Sequence, residues 1–477
     1  MAFTPTSFIG ARRVRNWSLS FATLVLLFAN PTQLLSQNST ANAPSSSANA
    51  ANGGAKAANA SANAAISAFP ATTVNSQLPG WLRFSGEYRL RPEDHTAYGF
   101  VGGADDGFLL SRLRLNLTAT ASDSLSFFVQ AQDSHALGID SSHVTTSIND
   151  TFDLRQAYIQ LTPKSWIRVR AGRQEFRFGS ERLIGVSDWT NAPRVFDAIR
   201  LTLGTANNHV DIFTSSVVVN DPIHFDNHNG GLTFHGLYGS LSHAVPKATL
   251  EPYLLWKALP LVTSEEGTKS DESLFTYGGR WIGKLPLGFD YAGEAARQGG
   301  YYSNDNISAW GGYALLGYTI SKAPLTPRVS AQYDYASGDH KKGDGTVGTF
   351  DQLYPSNHGV FGLVDLLGWR NVRQLRTGID FKPISHLTTA VDYRNIDLAS
   401  RYDGLYGSTG STLVKAPKGG ALSTDVGHEF DLSGKYQLRK NVDTGAGYGH
   451  LFAGSFLTQN SHGSSPSIVY TYVTYKF

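Results

Sequence analysis

From Trp81 onward, apolar and polar residues of the chain alternate with a period of two. In the first segment, one parity is apolar or glycine, and it comprises Leu82, Phe84, Gly86, Tyr88 and Leu90. The opposite parity is polar or charged, and it comprises Arg83, Ser85, Glu87, Arg89 and Arg91. Because successive side chains of a β-strand point to opposite faces, this pattern predicts strands whose two faces meet different surroundings.

About 18 segments of this kind follow one another, a number that suits a large outer-membrane barrel. They begin near residues 81, 108, 124, 154, 166, 195, 208, 231, 248, 274, 286, 307, 327, 373, 386, 428, 442 and 467. Short turns, as at 121–123 and 440–441, separate some of them, and long polar loops, as at 135–151 and 337–370, separate others. The predicted fold class is therefore all-β, a transmembrane antiparallel β-barrel of about 18 strands over residues 81–477.

A membrane-spanning sheet must close on itself, because an unpaired backbone N–H or C=O group in hydrocarbon costs several kcal/mol. The alternative is a secreted soluble β-sandwich, β-helix or propeller, whose outward face would be polar. Charges in mid-strand opposite the apolar face, and Tyr, Trp and Phe near segment ends, favour the membrane barrel. The last segment has Val469, Thr471, Val473, Tyr475 and Phe477 on one parity. It is similar to the assembly signal of barrels in the outer membrane of Gram-negative bacteria, the location we expect.

The first 80 residues have a different character. Residues 1–36 combine Arg12, Arg13 and Arg15 with an apolar stretch at 17–29, which predicts a signal peptide for export. Residues 37–80 are rich in Ala, Ser and Asn and predict a disordered leader. Because the first 80 residues hold four basic groups and no acid, residues 81–477 carry 36 basic and 38 acidic side chains. No general basic surface exists there, so nucleic acid is not an expected partner.

The polar parity is unevenly charged, and in a membrane barrel it lines the lumen. Between residues 81 and 204 only Glu87 opposes a set of eight arginines, namely Arg83, Arg89, Arg91, Arg112, Arg114, Arg168, Arg170 and Arg200. Later strands are balanced, with Arg328, Arg376, Lys382, Arg394, Lys435 and Arg439 against Asp290, Glu294, Asp334, Asp380, Asp392, Glu429 and Asp431. Arginine binds carboxylates bidentately, so the basic wall predicts a path for a polyanion. The alternative is that these charges only pair with one another across the lumen.

Several motifs resemble the alginate export family. They are SRLRL at 111–115, GRQEFRFGSERLIG at 172–185, DWTN at 188–191, RVFDAIRL at 194–201 and TFDQLYP at 349–355. The resemblance implies an 18-stranded outer-membrane barrel through which a negatively charged exopolysaccharide diffuses past an arginine-rich constriction. By motif position it implies lumen or constriction roles for Arg112, Arg114, Arg173, Glu175, Arg182, Asp188, Arg194 and Arg200. Arg173 and Glu175 break the strand parity, which predicts a bulge or an infolded loop there.

The predicted function is a passive outer-membrane channel that exports an alginate-like polysaccharide. The alternatives are a selective uptake porin for small anions or oligosaccharides and a barrel enzyme. We expect no enzyme, because no Gly-x-Ser-x-Gly elbow is present. The expected partners are outer-membrane lipid, an anionic polysaccharide and periplasmic export components, and the expected state is a monomer.

No cofactor is expected, but two loops carry residues with cation-binding chemistry. Asp339, Asp344 and Asp351 lie in one glycine-rich loop and are a candidate for Ca²⁺. His224, Asp226 and His228 have a spacing that could ligate a metal from an extended loop, but a plain polar loop is the favoured interpretation. With no cysteine in the chain, disulfides and cysteine-ligated metals are excluded.

Overall fold

The computed structural model describes residues 71–245 and 247–477, which belong to one compact unit. Its framework is 18 long antiparallel strands. In chain order they are β1 (Leu82–Thr96), β2 (Asp106–Ser122), β3 (Leu125–Leu137), β4 (Asp150–Lys164), β5 (Ile167–Gln174), β6 (Phe196–Gly204), β7 (Asn208–Val219), β8 (Thr233–Val245), β9 (Ala248–Thr263), β10 (Lys269–Lys284), β11 (Phe289–Tyr302), β12 (Asp305–Thr319), β13 (Arg328–Ala336), β14 (Val372–Phe381), β15 (Leu387–Leu398), β16 (Asp425–Arg439), β17 (Val442–Ala453) and β18 (Ser467–Lys476).

The connections contain a few short elements. Short β-strands lie at Asn227–His228, Thr346–Val347, Leu405–Tyr406 and Thr412–Val414. Within the described residues the helices are α1 (Ala71–Gln77) and α2 (Ser455–Asn460), with single 3-10 turns at Tyr98–Phe100 and Pro286–Gly288. Among the helices of residues 71–245 and 247–477, none has the length and apolar character that a membrane span requires.

The sheet is closed. Every strand pairs in antiparallel register with the next, and β18 returns to β1 from Lys476 opposite Glu87 to Ser467 opposite Thr96. Closure leaves no free edge, which a sheet in hydrocarbon requires. The predicted barrel and its strand number are thus confirmed. The largest displacement of a strand start is at β10, predicted near residue 274 and beginning at Lys269.

The apolar parity faces outward, as predicted. Leu117, Phe127 and Val473 are exposed, whereas the inward residues Arg112 and Asp334 are buried. In a soluble protein the apolar side chains would be inside, away from water. The observed distribution therefore fits a barrel whose outer surface meets lipid acyl chains.

The two ends of the barrel differ. At one end the strands are joined by short turns, such as residues 123–124, 165–166 and 440–441. At the other end several connections are long, and the longest are residues 175–195, 337–371 and 399–424. This asymmetry matches the one predicted, and we refer to the two ends as the short-turn end and the long-loop end.

The segment before β1 departs from the prediction of a disordered leader up to residue 80, because Ala71–Gln77 form a helix. β18 and the following residue, Phe477, pair with β1 only from Gly86 onward, which leaves the backbone of Phe84 without a strand partner on that side. The Asn75 side chain supplies that partner, donating to the Phe84 carbonyl at 2.7 Å and accepting from its N–H at 2.8 Å. The predicted signal peptide and the rest of the leader lie outside the described residues.

Two long connections fold into the barrel interior. Loop A (residues 175–195) joins β5 to β6, and loop B (residues 337–371) joins β13 to β14. The loops pair with each other, since the Tyr354 N–H donates to the Leu183 carbonyl at 2.9 Å and the Gly185 N–H to the Tyr354 carbonyl at 2.8 Å. Loop A also contacts β1, β2 and β13, which lie on several sides of the interior.

An aromatic cluster anchors these loops. Phe176 of loop A is fully buried, with its ring 4.8 Å from the rings of both Phe196 and Phe213. Tyr354 of loop B packs edge-on against Phe196 and Phe234. The inward face of these strands is therefore aromatic at the long-loop end, where it packs on the loops, rather than polar throughout as predicted for a lumen wall.

Candidate functional site

Four inward arginines of β1 and β2 form what we call the arginine cluster: Arg89, Arg91, Arg112 and Arg114. Arg89 stands directly opposite Arg112, and Glu87 directly opposite Arg114. Like charges in opposite positions of an antiparallel pair destabilise it unless counter-charges lie over them. All four arginines are buried, because loop A lies against them. Counter-charges come from Asp188 of loop A and from Glu87 and Glu93 of β1.

The carboxylate of Asp188 in loop A sits between two of these guanidinium groups. Its Oδ1 accepts from Arg114 Nη2 at 2.8 Å and from Arg112 Nη1 at 3.3 Å. Glu87 accepts from the same two arginines, at 2.7 Å from Arg112 and 3.2 Å from Arg114. Burial alone would raise the pKa of Asp188, but the charges of Arg114 and Arg112 outweigh it and hold that pKa well below its ordinary value. Asp188 is therefore ionised at physiological pH.

The cluster also holds the backbone of loop A. Arg89 donates to the carbonyls of Asp188 at 3.0 Å, Trp189 at 3.1 Å and Thr190 at 3.1 Å. Trp189 is sandwiched, with the Arg91 guanidinium 3.7 Å from its ring centroid on one face and the His358 ring 3.6 Å away on the other. Loop A is thus fixed to the basic wall through its backbone as well as through Asp188.

A second group of arginines lies nearer the short-turn end, on β5 and β6. Arg200 makes two bonds to Asp211, at 2.9 and 2.7 Å. Arg170 donates only to the amide of Gln160, at 2.7 and 3.2 Å. Within the described residues Arg168 makes no hydrogen bond or ion pair. Arg168 and Arg170 therefore have no carboxylate partner within the described residues.

The remaining predicted residues are spread along the barrel. Arg83 lies at the short-turn end and donates to the carbonyls of Pro79 at 3.0 Å and Leu82 at 2.7 Å, so it is not part of the arginine cluster. Arg173 is the next-to-last residue of β5 and makes two bonds to Asp197, at 2.8 and 3.1 Å. Glu175 is the first residue of loop A, where the break in parity predicted an infolded loop.

Two predicted residues hold the loops in place. Arg182 of loop A donates to Asp334 of β13 at 2.7 Å, with its guanidinium 4.0 Å from the Tyr313 ring centroid. Arg194 donates to the carbonyls of Gly185 in loop A and Pro355 in loop B, at 3.0 and 3.1 Å. These contacts position the two loops.

On the balanced wall, three of the arginines pair with nearby acids. Arg328 bonds Asp290 at 2.6 Å and Asp380 at 3.2 Å. It reaches Asp290, two strands away, past Gly317 of β12, where a Cβ atom would lie 2.2 Å from the Arg328 guanidinium. Arg394 is fully buried and bonds Asp431. Mutual charge pairing thus describes Arg328, Arg376 and Arg394. The side chains of Lys382, Lys435 and Arg439 make no ion pair within the described residues, so both walls keep some unpaired positive charge.

One important residue escapes the sequence pattern. Arg155 of β4 is buried and donates to Glu175 at 2.6 Å and to Gln130 at 2.5 Å. Its parity is that of outward residues, but the register of β4 against β3 shifts between Gln156 and Leu154, and this bulge turns Arg155 inward. The only signal in the sequence is two successive polar residues, Arg155 and Gln156, in an alternating strand.

The predicted cation loops do not bring their residues together as proposed from sequence. Asp351 accepts from Lys257 Nζ at 2.5 Å, whereas Asp344 is exposed and accepts from the N–H of Thr346 in its own loop. His224 is exposed and contacts Asp221 at 3.1 Å. Asp226 instead lies close to the carboxylates of Asp150 and Asp153.

The comparison with protein-family models finds one match, the model described as "Alginate export", over residues 80–471. The chain belongs to the alginate export family. As a member of this family with a closed 18-strand barrel, it is an outer-membrane protein of a Gram-negative bacterium. The family and fold are those of channels. By the general rule for such barrels, the short-turn end faces the periplasm and the long-loop end faces outward.

Solved structures share the fold at low sequence identity. Pseudomonas aeruginosa OpdO is 13% identical over 84% of this chain and 99% of its own, with a TM-score of 0.56. Pseudomonas aeruginosa OccK8 (OprE) is 13% identical over 83% and 98%, with a TM-score of 0.55. Acinetobacter baumannii OccAB2 is 12% identical over 83% and 98%, with a TM-score of 0.56. A search of curated proteins finds no match.

Proposed function

We propose that this alginate export family barrel is a passive channel that lets an anionic, alginate-like polysaccharide leave the cell along its basic wall. The observation that carries the proposal is the Asp188 carboxylate held between Arg112 and Arg114. Every uronate unit of such a polymer carries a carboxylate. The arginine cluster is therefore built to bind the group that the polymer presents repeatedly.

Release matters as much as binding in a channel, because a site that binds too tightly blocks flow. Asp188 and Glu87 already compensate the guanidinium groups of the cluster. A polymer carboxylate that displaces Asp188 exchanges one ion pair for another, so little net energy is gained or lost. The exchange requires loop A to move away from β2 while its other contacts retain it.

Arg168 and Arg170 suit the first contact with the polymer. They lie close to the short-turn end, on the first residues of β5, and have no carboxylate partner within the described residues. Uncompensated positive charge in a pore raises the local concentration of anions. We place the entry of the polymer at these residues, with the arginine cluster further along. Periplasmic export components and a monomeric state belong to the same proposal.

Planar-bilayer recording tests this function. The wild-type channel is expected to prefer anions and to be blocked reversibly by a polyuronate. Arg114→Glu should reverse or strongly weaken the preference, because it replaces a positive group beside Asp188 with a negative one. Arg297→Glu is the matched control, since Arg297 is an exposed residue with outward parity on β11. Equal ion preference in wild type and Arg114→Glu would overturn the proposed path.

The second candidate is uptake of small anions or oligosaccharides. It is favoured by the position of loops A and B, which occupy the interior and narrow the path. A pore of fixed small width would be blocked by small carboxylates and left open by a polyuronate. The same recordings therefore separate the two functions.

A further inference from the structure

Three aspartates converge at the long-loop end, on the far side of β3 from the arginine cluster. Asp150 and Asp153 are the first and fourth residues of β4, and Asp226 lies in the loop between β7 and β8. In an ideal strand, residues three apart point to opposite faces. Here Asp150 pairs with Ser134 and Asp153 with Gln132, so three residues of β4 span two of β3. This bulge puts both aspartates on the same buried face.

The three side chains are buried and incompletely bonded. Their exposed fractions are 4% for Asp150, 2% for Asp153 and 7% for Asp226. One oxygen atom of each lies within 4.8 Å of the others. The Oδ1 atoms of Asp150 and Asp153 are buried without a hydrogen-bond partner within the described residues. Burial raises the pKa of Asp226 to about 6.

Within the described residues, Arg173 is the one basic side chain within 4.0 Å of a carboxylate of the trio. Arg173 Nη1 lies 4.0 Å from Asp153 Oδ1, a contact too long for a hydrogen bond. Its other nitrogens are bound to Asp197 at 2.8 Å and to the Asp226 carbonyl at 2.9 Å. Buried carboxylates without compensation are costly, and a bound cation removes that cost.

We propose that Asp150, Asp153 and Asp226 form a binding site for a divalent cation of the Ca²⁺ type. All three side chains offer oxygen, which hard cations prefer, and no histidine or cysteine takes part. Asp226 also accepts through Oδ1 from the Asp221 N–H at 2.7 Å, so the cation would fix the loop at 220–232 to β4. The proposal does not depend on the proposed polymer path, because it rests only on the contacts of these three carboxylates.

Calorimetric titration tests the site. The full chain in detergent micelles, stripped with EDTA, is titrated with CaCl₂. We expect one saturable site, and a dissociation constant about tenfold higher or more for Asp226→Asn and for Asp150→Asn, because affinity depends on the number of ligand charges. Asp133→Asn is the matched control, since Asp133 lies on the neighbouring β3 and contacts His135 instead.

Limited proteolysis is a second test of the site, and it is applied only to variants that fold. Each variant is first shown to be folded by its heat-modifiable migration on a gel. Ca²⁺ should then protect the loop at 220–232 from cleavage in the wild type and in Asp133→Asn, but not in Asp226→Asn. Saturable binding retained in both Asp150→Asn and Asp226→Asn, or no binding of Ca²⁺ to the wild type, would overturn the proposal.

Discussion

Neutralising Asp188 should strengthen the block of the channel by a polyuronate. Asp188→Asn removes the carboxylate that competes with the polymer for Arg112 and Arg114. Loop A should remain in place, because Arg89 still donates to the carbonyls of Asp188, Trp189 and Thr190. The variant therefore changes the charge at the cluster without releasing the loop.

The size of the effect follows from the bond that is lost. A hydrogen bond to a charged group contributes about 1.5–3 kcal/mol. The Asp188 side chain is 40% exposed, so solvent screening places its contribution at the lower end, about 1.5 kcal/mol. At about 1.4 kcal/mol per factor of ten, the half-blocking polyuronate concentration should fall about tenfold.

The assay is single-channel recording at low salt with polyuronate of one chain length added on the short-turn side. Asp344→Asn, which removes an exposed loop carboxylate outside the cluster, is the control and should block like the wild type. An unchanged or weaker block in Asp188→Asn would refute the competition between Asp188 and the polymer.

Three further outcomes follow from the same contacts. Deleting Phe477 removes its two backbone bonds to Gly86, at 2.7 and 2.9 Å, and should lower the unfolding free energy in urea by about 2 kcal/mol. Trp189→Ala removes the stack on His358 and a cation–π contact worth about 1 kcal/mol, so channel opening should become about fivefold more frequent in recordings. The pKa of Glu175 is lowered from 4.5 to about 2, because nearby arginines outweigh its burial. Its ion pairs should therefore stabilise loop A fully above about pH 4.5 and be lost as the pH falls through about 2, which conductance measured against pH will show.

The barrel could be predicted from sequence because alternation is a local signal. Each strand must present an apolar residue to lipid at every second position, so β2, β3 and β16 are visible without any knowledge of their partners. The helix Ala71–Gln77 could not be predicted in this way. It depends on the backbone of Phe84, which is left unpaired only once the barrel closes.

The candidate site could be predicted only in part. Parity placed the arginine cluster on the inward face, but it could not show that loop A covers the cluster. Arg182 and Arg194 carry the same charge as the cluster and position loops instead, a difference set by contacts with Asp334 and Pro355 that are far apart in the chain. At a β-bulge, parity no longer tells which face a side chain is on, as at Arg155.

Transport of the polymer itself tests the account most directly. Liposomes that contain the full chain are loaded with a fluorescent polyuronate or with a neutral glucan of the same length, and release is followed over time. We expect the polyuronate to leave by a saturable route that Arg114→Glu slows, while the neutral glucan leaves slowly or not at all. Two results would contradict a basic path for an anionic polysaccharide. One is equal release of both polymers, and the other is retention of the polyuronate in liposomes whose channels conduct ions.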